Sequence, residues 1–543
     1  MSPAWKRRLP KAARGAVDAL AVVLVLWLRW LAWPVGQSDP VTPGLQDIPA
    51  SAWQWGGPGD FVLYGPDAGN WAANAEAWAQ NAPLDPNRLP VYTALAAVFA
   101  PGGDVVWGGH LVNHGAGALA CVALYWLGVQ TSGRGAALGA ALWMAVLPNL
   151  VESQGLYGVD PVFGAVFLAA VASAWWATKG HALRAIAPGL LMGLLVGTHY
   201  LGLAFPVVLA IGMLQAKGDW KRRVLPAVGA LLLGFVVLKF LLLPYESMGL
   251  AQILAVYQEG VANPTASAAV AEPLSQRLLS APMLAVQRGV APLRDSGLPW
   301  WSLVVLLWAG VVGWGLPGRD KRPWDWRSGL WLLVLCGPLI LLEATRAPER
   351  YRDFLRPLVI LLVMRGLASP AAALEAGLRK KLPKWPCGVL PLALCGGVAW
   401  LTLQGFVTEW PPRMPIEQAL QNRATGLAVA DLAVGEPGIR SVVNTQQVVA
   451  FYTGVDSCPG NYCSPDPANL ASCKTLVLSQ CAGDPIAVVV ELQNGGPWDQ
   501  SPNRVFDAWV QENHSPVQRV NGIEAGRESA IYLLSRAEIA AAP

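Results

Sequence analysis

The sequence predicts an α-helical polytopic membrane protein of about eleven transmembrane helices, with a soluble α/β domain at its C-terminal end. Three observations predict it. Hydrophobic residues make up 54% of the 543 and charged residues only 14%, against roughly 25% charged in soluble proteins. Apolar runs long enough to span a bilayer recur from residue 16 to residue 407 and then stop. Charge divides at the same place. After Val407 there are eight Lys/Arg against fourteen Asp/Glu, so the tail is −6 and the remainder +10. The chain therefore divides into a membrane domain, 1–407, and an acidic domain, 408–543. The basic excess lies in short loops, where it reports topology rather than nucleic-acid binding.

The expected spans are 16–35, 104–129, 135–150, 160–178, 224–243, 298–316, 328–345, 354–370 and 386–407. A cleaved signal peptide is the alternative for the first. The run is long for a signal peptide's apolar core and no small-residue cleavage site follows, so it reads as a retained span. The stretch 185–215 is also apolar, but it is broken at Gly197-Thr198-His199-Tyr200 and again at Pro206. Basic clusters at Lys6-Arg7-Arg8, Arg134, Lys179 with Arg184, Lys217 to Arg223, Arg319 to Arg327 and Arg379 to Lys384 mark one face, the cytoplasmic one. Both ends of 185–215 then lie on that face, so it enters and returns as two short helices that meet at a polar turn. The N-terminus falls inside and the C-terminal domain outside.

Cysteines agree with this division. Cys121, Cys336, Cys387 and Cys395 lie in apolar runs and read as small buried hydrophobes. Cys458, Cys463, Cys473 and Cys481 cluster in the acidic domain without the close pairs of a zinc site. Two disulfides in an oxidising compartment are expected, with three pairings open. In that domain Ile416–Leu432 and Asn503–Glu512 read as helices, and Lys474–Leu478, Ile486–Leu492 and Ala530–Leu534 as strands.

Five segments share the outer face: loop 36–103, a short loop around Glu152 and Asp160, the turn at His199-Tyr200, loop 244–297, and Arg346 to Arg356. Loop 36–103 carries Asp67, then an amphipathic helical run, then Arg88 in a turn and a second short helical run. Asp67 suits two roles, an N-cap and a general base for an acceptor hydroxyl or amine. Arg346, Arg350, Arg352 and Arg356 break the positive-inside rule. They suit bidentate phosphate binding and, equally, interfacial anchoring by pairing with Glu349 and Asp353. His110 and His114 stand one helical turn apart, but no third metal ligand lies nearby. Lys239 lies near the outer end of a span, where it can snorkel to the surface.

On these residues the chain resembles the GT-C superfamily of polytopic glycosyltransferases. The branch is that of bacterial protein O-mannosyltransferases and lipid A aminoarabinose transferases, glycosyltransferase family 39. Asp67 to Ala100 looks like that family's first outer loop, and Arg88-Leu89-Pro90-Val91-Tyr92 matches its R-x-P-x-Y segment. Trp107 to Gly128, with Asn113 and Tyr125, resembles the following span. Glu349-Arg350-Tyr351 and Phe354-Leu355-Arg356-Pro357-Leu358 are similar to the segment before a late span. The resemblance implies inverting transfer of a sugar from a polyprenyl-phosphate donor to a glycan, lipid or protein acceptor at the periplasmic face of a bacterial inner membrane. It implies Asp67 as base. Arg346, Arg350 and Tyr351, joined by Arg356 from the arginine cluster, become the donor-phosphate residues. Arg88, Glu152, Asp160 and His199 are the candidates for lining the substrate cavity. Many relatives have Asp-Glu where this chain has Asp67-Ala68. Metal-dependent relatives use extra acidic ligands not located here, so a divalent metal stays open and no cofactor is assigned. A transporter or flippase for a lipid-linked glycan is the competing function, although no internal repeat of the kind such proteins carry is found.

Overall fold

In a computed structural model the chain is a helical bundle followed by an α/β unit. The described residues are 11–31, 35–37, 68–85, 88–147, 150–151, 157–179, 182–214, 220–244, 280–281, 283–284, 300–315, 354–382, 389–406, 413–415, 417–443, 447–458, 470–493, 496–497, 505–521 and 527–542.

The bundle comprises α1 (Lys11–Leu31), α2 (Ala68–Ala79), α3 (Pro90–Val98), α4 (Val105–Thr131), α5 (Arg134–Val146), α6 (Asp160–Ala177), α7 (Ile186–Thr198), α8 (Phe205–Met213), α9 (Trp220–Leu241), α10 (Trp300–Gly315), α11 (Arg356–Lys381) and α12 (Val389–Phe406). Among the described residues, Val105–Thr131, Asp160–Ala177, Arg223–Leu241 and Arg356–Glu375 are long and apolar enough to cross a membrane. Shorter apolar helices lie at Arg134–Val146, Leu183–Thr198, Tyr200–Met213 and Val389–Val398. The expected span 328–345 lies outside the described residues, as do Cys336 and Cys387; Cys121 and Cys395 are buried free thiols. α4 is central and packs on α1, α3, α5, α6 and α11. α2 and α3 lie across the end of the bundle where α4 begins, called here the upper end.

Local sequence explains the helix ends. α5 stops at Val146, short of the expected 150, because Leu147 precedes Pro148 and takes an extended conformation (φ −70°, ψ 118°). The stretch 185–215 divides as expected: α7 ends at Thr198, His199 is extended, and a 3-10 turn at Tyr200–Ala204 leads into α8 with Pro206 in its first turn. Gly189, Gly193 and Gly197 recur every fourth residue on α7, against α9. A Cβ on Gly193 would lie 2.6 Å from the Gly234 carbonyl oxygen and from Val237 Cβ. Small residues at that spacing let two apolar helices approach where lipid supplies no hydrophobic drive. The span expected over 354–370 runs on to Lys381, with Pro370 inside the helix.

Basic side chains close the carbonyl ends of these helices. Arg29, fully buried on α1, donates to the carbonyls of Ala145 (3.1 Å), Leu150 (2.6 Å) and Met144 (3.4 Å), at and beyond the end of α5. At the opposite, lower end, Arg365 donates to the Thr131 carbonyl and Lys179 Nζ to that of Gln130 (3.3 Å), both in the last turn of α4. Arg134 there holds Asp18 bidentately at 2.7–2.8 Å, and Tyr125 donates to the same carboxylate at 2.7 Å. Glu375 accepts from the Leu390 N–H (3.1 Å) at the start of α12. The Arg29, Arg365, Lys179 and Glu375 contacts set a charge against the opposite pole of a helix dipole and supply partners that hydrocarbon cannot.

The C-terminal unit holds a mixed sheet in the order β4-β3-β5-β8-β7, with β6 paired to the end of β5. Its strands are β3 (Ser441–Val443), β4 (Asp456–Cys458), β5 (Ile486–Gln493), β6 (Gly496–Pro497), β7 (Gln518–Asn521) and β8 (Arg527–Leu534). Its helices are α13 (Glu417–Gly435), α14 (Gln447–Thr453), α15 (Leu470–Gln480), α16 (Val505–Asn513) and α17 (Arg536–Ala541). Along β5, Ile486, Val488, Val490 and Leu492 enter one core with Val477 and Phe506, whereas Ala487 and Val489 enter another with Ala428 and Val429. Burial on both faces explains why this strand reads as a continuous apolar run. Lys474–Leu478, expected as a strand, belongs to α15. The short apolar run is ambiguous by itself, but Cys473, Val477 and Cys481 are buried at four-residue spacing, the period of a helix face. Cys458 and Cys481 form a disulfide. Cys473 is disulfide-bonded too, and Cys463 lies outside the described residues. Short strands β1 (Val35–Gln37) and β2 (Arg413–Pro415) pair in parallel, so the exits of α1 and α12 lie on one side.

Breaking a buried, hydrogen-bonded charge set costs roughly 3–5 kcal/mol. Arg29→Met is therefore expected to lower the thermal midpoint of the purified protein well below that of Arg29→Lys, which keeps a donor. Equal midpoints for both variants and the wild type would remove Arg29 as the lock on α5.

Candidate functional site

The upper end of the bundle is organised by one buried asparagine and a column of rings. Asn74, on α2, donates to the Arg88 carbonyl (3.3 Å) and to Thr93 Oγ1 (3.3 Å) and accepts from the Asp85 N–H (2.8 Å). It thereby fixes the turn between α2 and α3. Arg88 is half-buried, and its guanidinium lies 5.4 Å from the Trp71 ring centroid, a cation–π geometry that braces the two helices. Trp71 meets Tyr92 edge-on at 5.4 Å, Tyr92 meets Tyr157 at 5.6 Å, and Tyr157 meets His110 at 5.6 Å. The Tyr157 hydroxyl donates to the Val105 carbonyl (2.9 Å), at the first turn of α4. Only a glycine fits beside this column at 109, since a Cβ there would stand 2.1 Å from the Tyr157 ring.

Asp160 opens α6, with Pro161 next in its first turn. Its carboxylate is near enough to act electrostatically on Tyr92. The Tyr92 hydroxyl lies among Asn113, the Gly158 backbone and Asp160, and burial holds it well above the ordinary phenol range. One turn along α6, Phe163 meets His199 at 5.3 Å and Phe354 at 4.8 Å. Phe354, Phe167 and Phe205 complete this second cluster. His199 Nδ1 accepts from the Leu201 N–H (3.1 Å), so the imidazole also shapes the turn it sits in. Arg356, the first residue of α11, is 8% exposed. A cation in the first turn opposes the helix dipole, so the dipole of α11 does not stabilise Arg356. Loop and bundle also meet where Leu89 packs with Val196 and Leu238, beside Trp78 and Tyr200.

Of the residues expected from the sequence, the structure thus gathers Arg88, Asp160, His199 and Arg356 at one end of the bundle. The first turn of α6 is the hub, touching α3 through Tyr92, the α7–α8 turn through His199, and the approach to α11 through Phe354. Asp67, Glu152, Arg346, Arg350 and Tyr351 lie outside the described residues. So does most of loop 244–297. His110 and His114 do not converge: His110 packs on Tyr157, and His114 meets Trp30 at 5.1 Å. No group of three or more metal-ligating side chains occurs among the described residues. Exposed Lys239 lies over Phe235 of its own helix, 5.8 Å from the ring. Sequence reasoning passed over Arg29, Asn74, Tyr157 and Phe163. Arg29 had a signal, an arginine inside an apolar run. Asn74 and the two rings had none, since their roles come from partners distant in sequence.

No family model and no curated sequence matches the chain. Solved structures do match, among them ArnT and an archaeal oligosaccharyltransferase. ArnT from Cupriavidus metallidurans, bound to undecaprenyl phosphate, superposes with a TM-score of 0.55 at 13% identity, over 96% of this chain and 98% of that one. The archaeal oligosaccharyltransferase AglB from Archaeoglobus fulgidus, in complex with an inhibitory peptide and a dolichol-phosphate, gives 0.57 at 12% identity, over 88% of this chain and 69% of that one. The apo form of the A. fulgidus enzyme gives 0.56 at 14% identity, over 89% and 70%. The fold is therefore the GT-C fold that the sequence resemblance names.

Removing the Tyr157 ring is expected to open the column at its centre. Tyr157→Ala should cost roughly 3–5 kcal/mol, as for other large buried aromatics. Tyr157→Phe should cost about 1 kcal/mol, the worth of one hydrogen bond. Thermal unfolding in detergent measures both, and equal losses would show that the hydroxyl rather than the ring is what matters.

Proposed function

We propose that this chain is an inverting glycosyltransferase that takes a sugar from a polyprenyl-phosphate carrier and passes it to an acceptor at the extracytoplasmic face of a bacterial inner membrane. The observation that supports the reading is that Arg88, Asp160, His199 and Arg356 lie at one end of a bundle with this fold. Solved proteins of this fold are described as bound to undecaprenyl phosphate or dolichol-phosphate. In this reading the upper end is the periplasmic end, the N-terminus is cytoplasmic, and the disulfide-bearing unit 408–543 is periplasmic.

The chemistry divides between two sides of the site. Arg356 opens α11, where backbone N–H groups and the positive pole of the helix also face an anion. Together with Arg346, Arg350 and Tyr351, it receives the carrier phosphate and stabilises the charge that develops as the sugar departs. Asp67 directly precedes the first residue of α2 in the sequence and serves as general base for the acceptor. Loss of the acceptor proton to Asp67 accompanies attack on the anomeric carbon, and the lipid phosphate leaves from the other face. That in-line displacement inverts the configuration. Asp160 and Glu152, with His199, are the residues assigned to substrate contact, while Arg88 positions the loop through Trp71.

Three measurements on purified protein in nanodiscs test this. Asp67→Asn is expected to lower transfer from an undecaprenyl-phosphate sugar by about 10²–10⁴-fold, the range for loss of a general base, with undecaprenyl-phosphate binding unchanged. Arg356→Gln is expected to weaken that binding at least roughly tenfold, the loss of one charge-assisted hydrogen bond. Full transfer by a folded Asp67→Asn protein would sink the base assignment. Movement of a lipid-linked glycan across the bilayer with no transfer would favour the flippase reading.

A further inference from the structure

The C-terminal unit reaches the loop segment 36–103 at two places. β2 pairs with β1, from Val35 opposite Arg413 to Gln37 opposite Pro415. Farther along, α14 packs against α2, and its Phe451 and Tyr452 sit half-buried on the same core that holds Trp71, Tyr92 and Tyr157. The two rings meet edge-on at 5.2 Å. Tyr452 also lies close to the ring column. Burial holds the Tyr157 hydroxyl well above the ordinary phenol range, and Asp104, Glu76 and Tyr452 push it the same way.

α14 is itself braced from behind. α13 approaches it at Gly426, where a Cβ would stand 2.6 Å from Tyr452 Cβ and 2.7 Å from the Val449 carbonyl oxygen. Arg423 of α13 places its guanidinium 5.9 Å from the Tyr452 ring. After the helix, Thr453 Oγ1 donates to the Ala450 carbonyl (2.7 Å) and accepts from the Val455 N–H (3.2 Å). Gly454, at φ +66°, then turns the chain into β4. The Cys458–Cys481 disulfide ties the end of β4 to the end of α15. A short helix that a sheet, a neighbouring helix and a disulfide all hold in place is a rigid support. A seven-residue helix would not be stable alone.

We infer that α14 is the support by which the C-terminal unit holds α2 in its working position, with Phe451 and Tyr452 as positioning residues of the transfer site. Its consequence for catalysis rests on the transferase reading; the contact itself does not. The order of action runs from the sheet through α14 to α2, then through Trp71 to Arg88 and Tyr92. Neither ring is assigned a contact with substrate.

The test uses the full-length protein in nanodiscs and two readouts. Amide hydrogen exchange over residues 68–79 reports on α2 whether or not the protein is an enzyme. Tyr452→Ala is expected to speed exchange there at least tenfold while α6 and α11 keep their wild-type rates. Tyr452→Phe, which keeps the ring, is expected to behave as the wild type, and Phe451→Ala to fall between. Turnover with undecaprenyl-phosphate mannose as donor probe is the second readout. Tyr452→Ala should lower kcat at least tenfold while affinity for undecaprenyl phosphate stays within twofold, and Tyr452→Phe should restore kcat. Unchanged exchange in α2, or a rise shared equally by α6 and α11, overturns the inference. So does a Tyr452→Ala protein with faster exchange in α2 but undiminished turnover. If exchange changes as expected and wild-type protein transfers no sugar from any polyprenyl-phosphate donor, the support stands and the transferase reading falls.

Discussion

The upper end of this protein depends on the edge-to-face contact of Tyr92 with Tyr157. It joins a loop that lies across the bundle to the helices that form it. Tyr92 comes from α3, and Tyr157 from the residues just before α6, anchored by its hydroxyl to the first turn of α4. Neither ring can shift far, because Trp71 and His110 close the two ends of the column and Gly109 leaves no slack beneath it. Such ring pairs contribute roughly 0.5–1.5 kcal/mol beyond their buried area. The geometric effect is larger than that sum suggests, since the column sets Arg88 through Trp71 and lies beside Asp160.

A second constraint acts through the whole bundle. Helix ends within or near hydrocarbon must find partners for their free carbonyl and amide groups. Here charged side chains supply them. Arg29 serves α5, Arg365 and Lys179 serve α4, and Glu375 serves α12. With its end satisfied, a helix as short as α5 can stop at Val146 without exposing bare backbone. α7 and α8 solve the same problem differently, by meeting at an extended His199 whose side chain accepts from the next turn. The polar turn that results is the one that reaches Phe163, so a device for ending a helix also places a side chain in the site.

The C-terminal unit belongs to the same structure as the site. Its sheet is covered on both faces, as an independent α/β domain would be, yet α14, whose Ala450 packs on that domain's core, also packs on α2. The residues that hold the upper end together therefore come from the loop after α1, the outer ends of the central helices, and a helix some four hundred residues from the first span.

The architecture was legible in the sequence because it follows from local quantities. Apolar run length marked the helices, basic loops marked one face, and the break at Gly197 to Tyr200 marked the paired short helices. The R-x-P-x-Y segment, read as a family feature, gave the fold that ArnT and AglB share. Local quantities also produced the failures. Lys474 to Leu478 has the composition of a strand, and only burial at the spacing of Cys473, Val477 and Cys481 reveals a helix. Sequence by itself determined that this protein is a helical membrane bundle followed by an acidic α/β unit. Only the tertiary structure decided that α6 is the hub, that Arg88 braces Trp71, and that α14 supports α2. Those contacts join residues far apart in the chain, so no spacing or propensity within a segment encodes them.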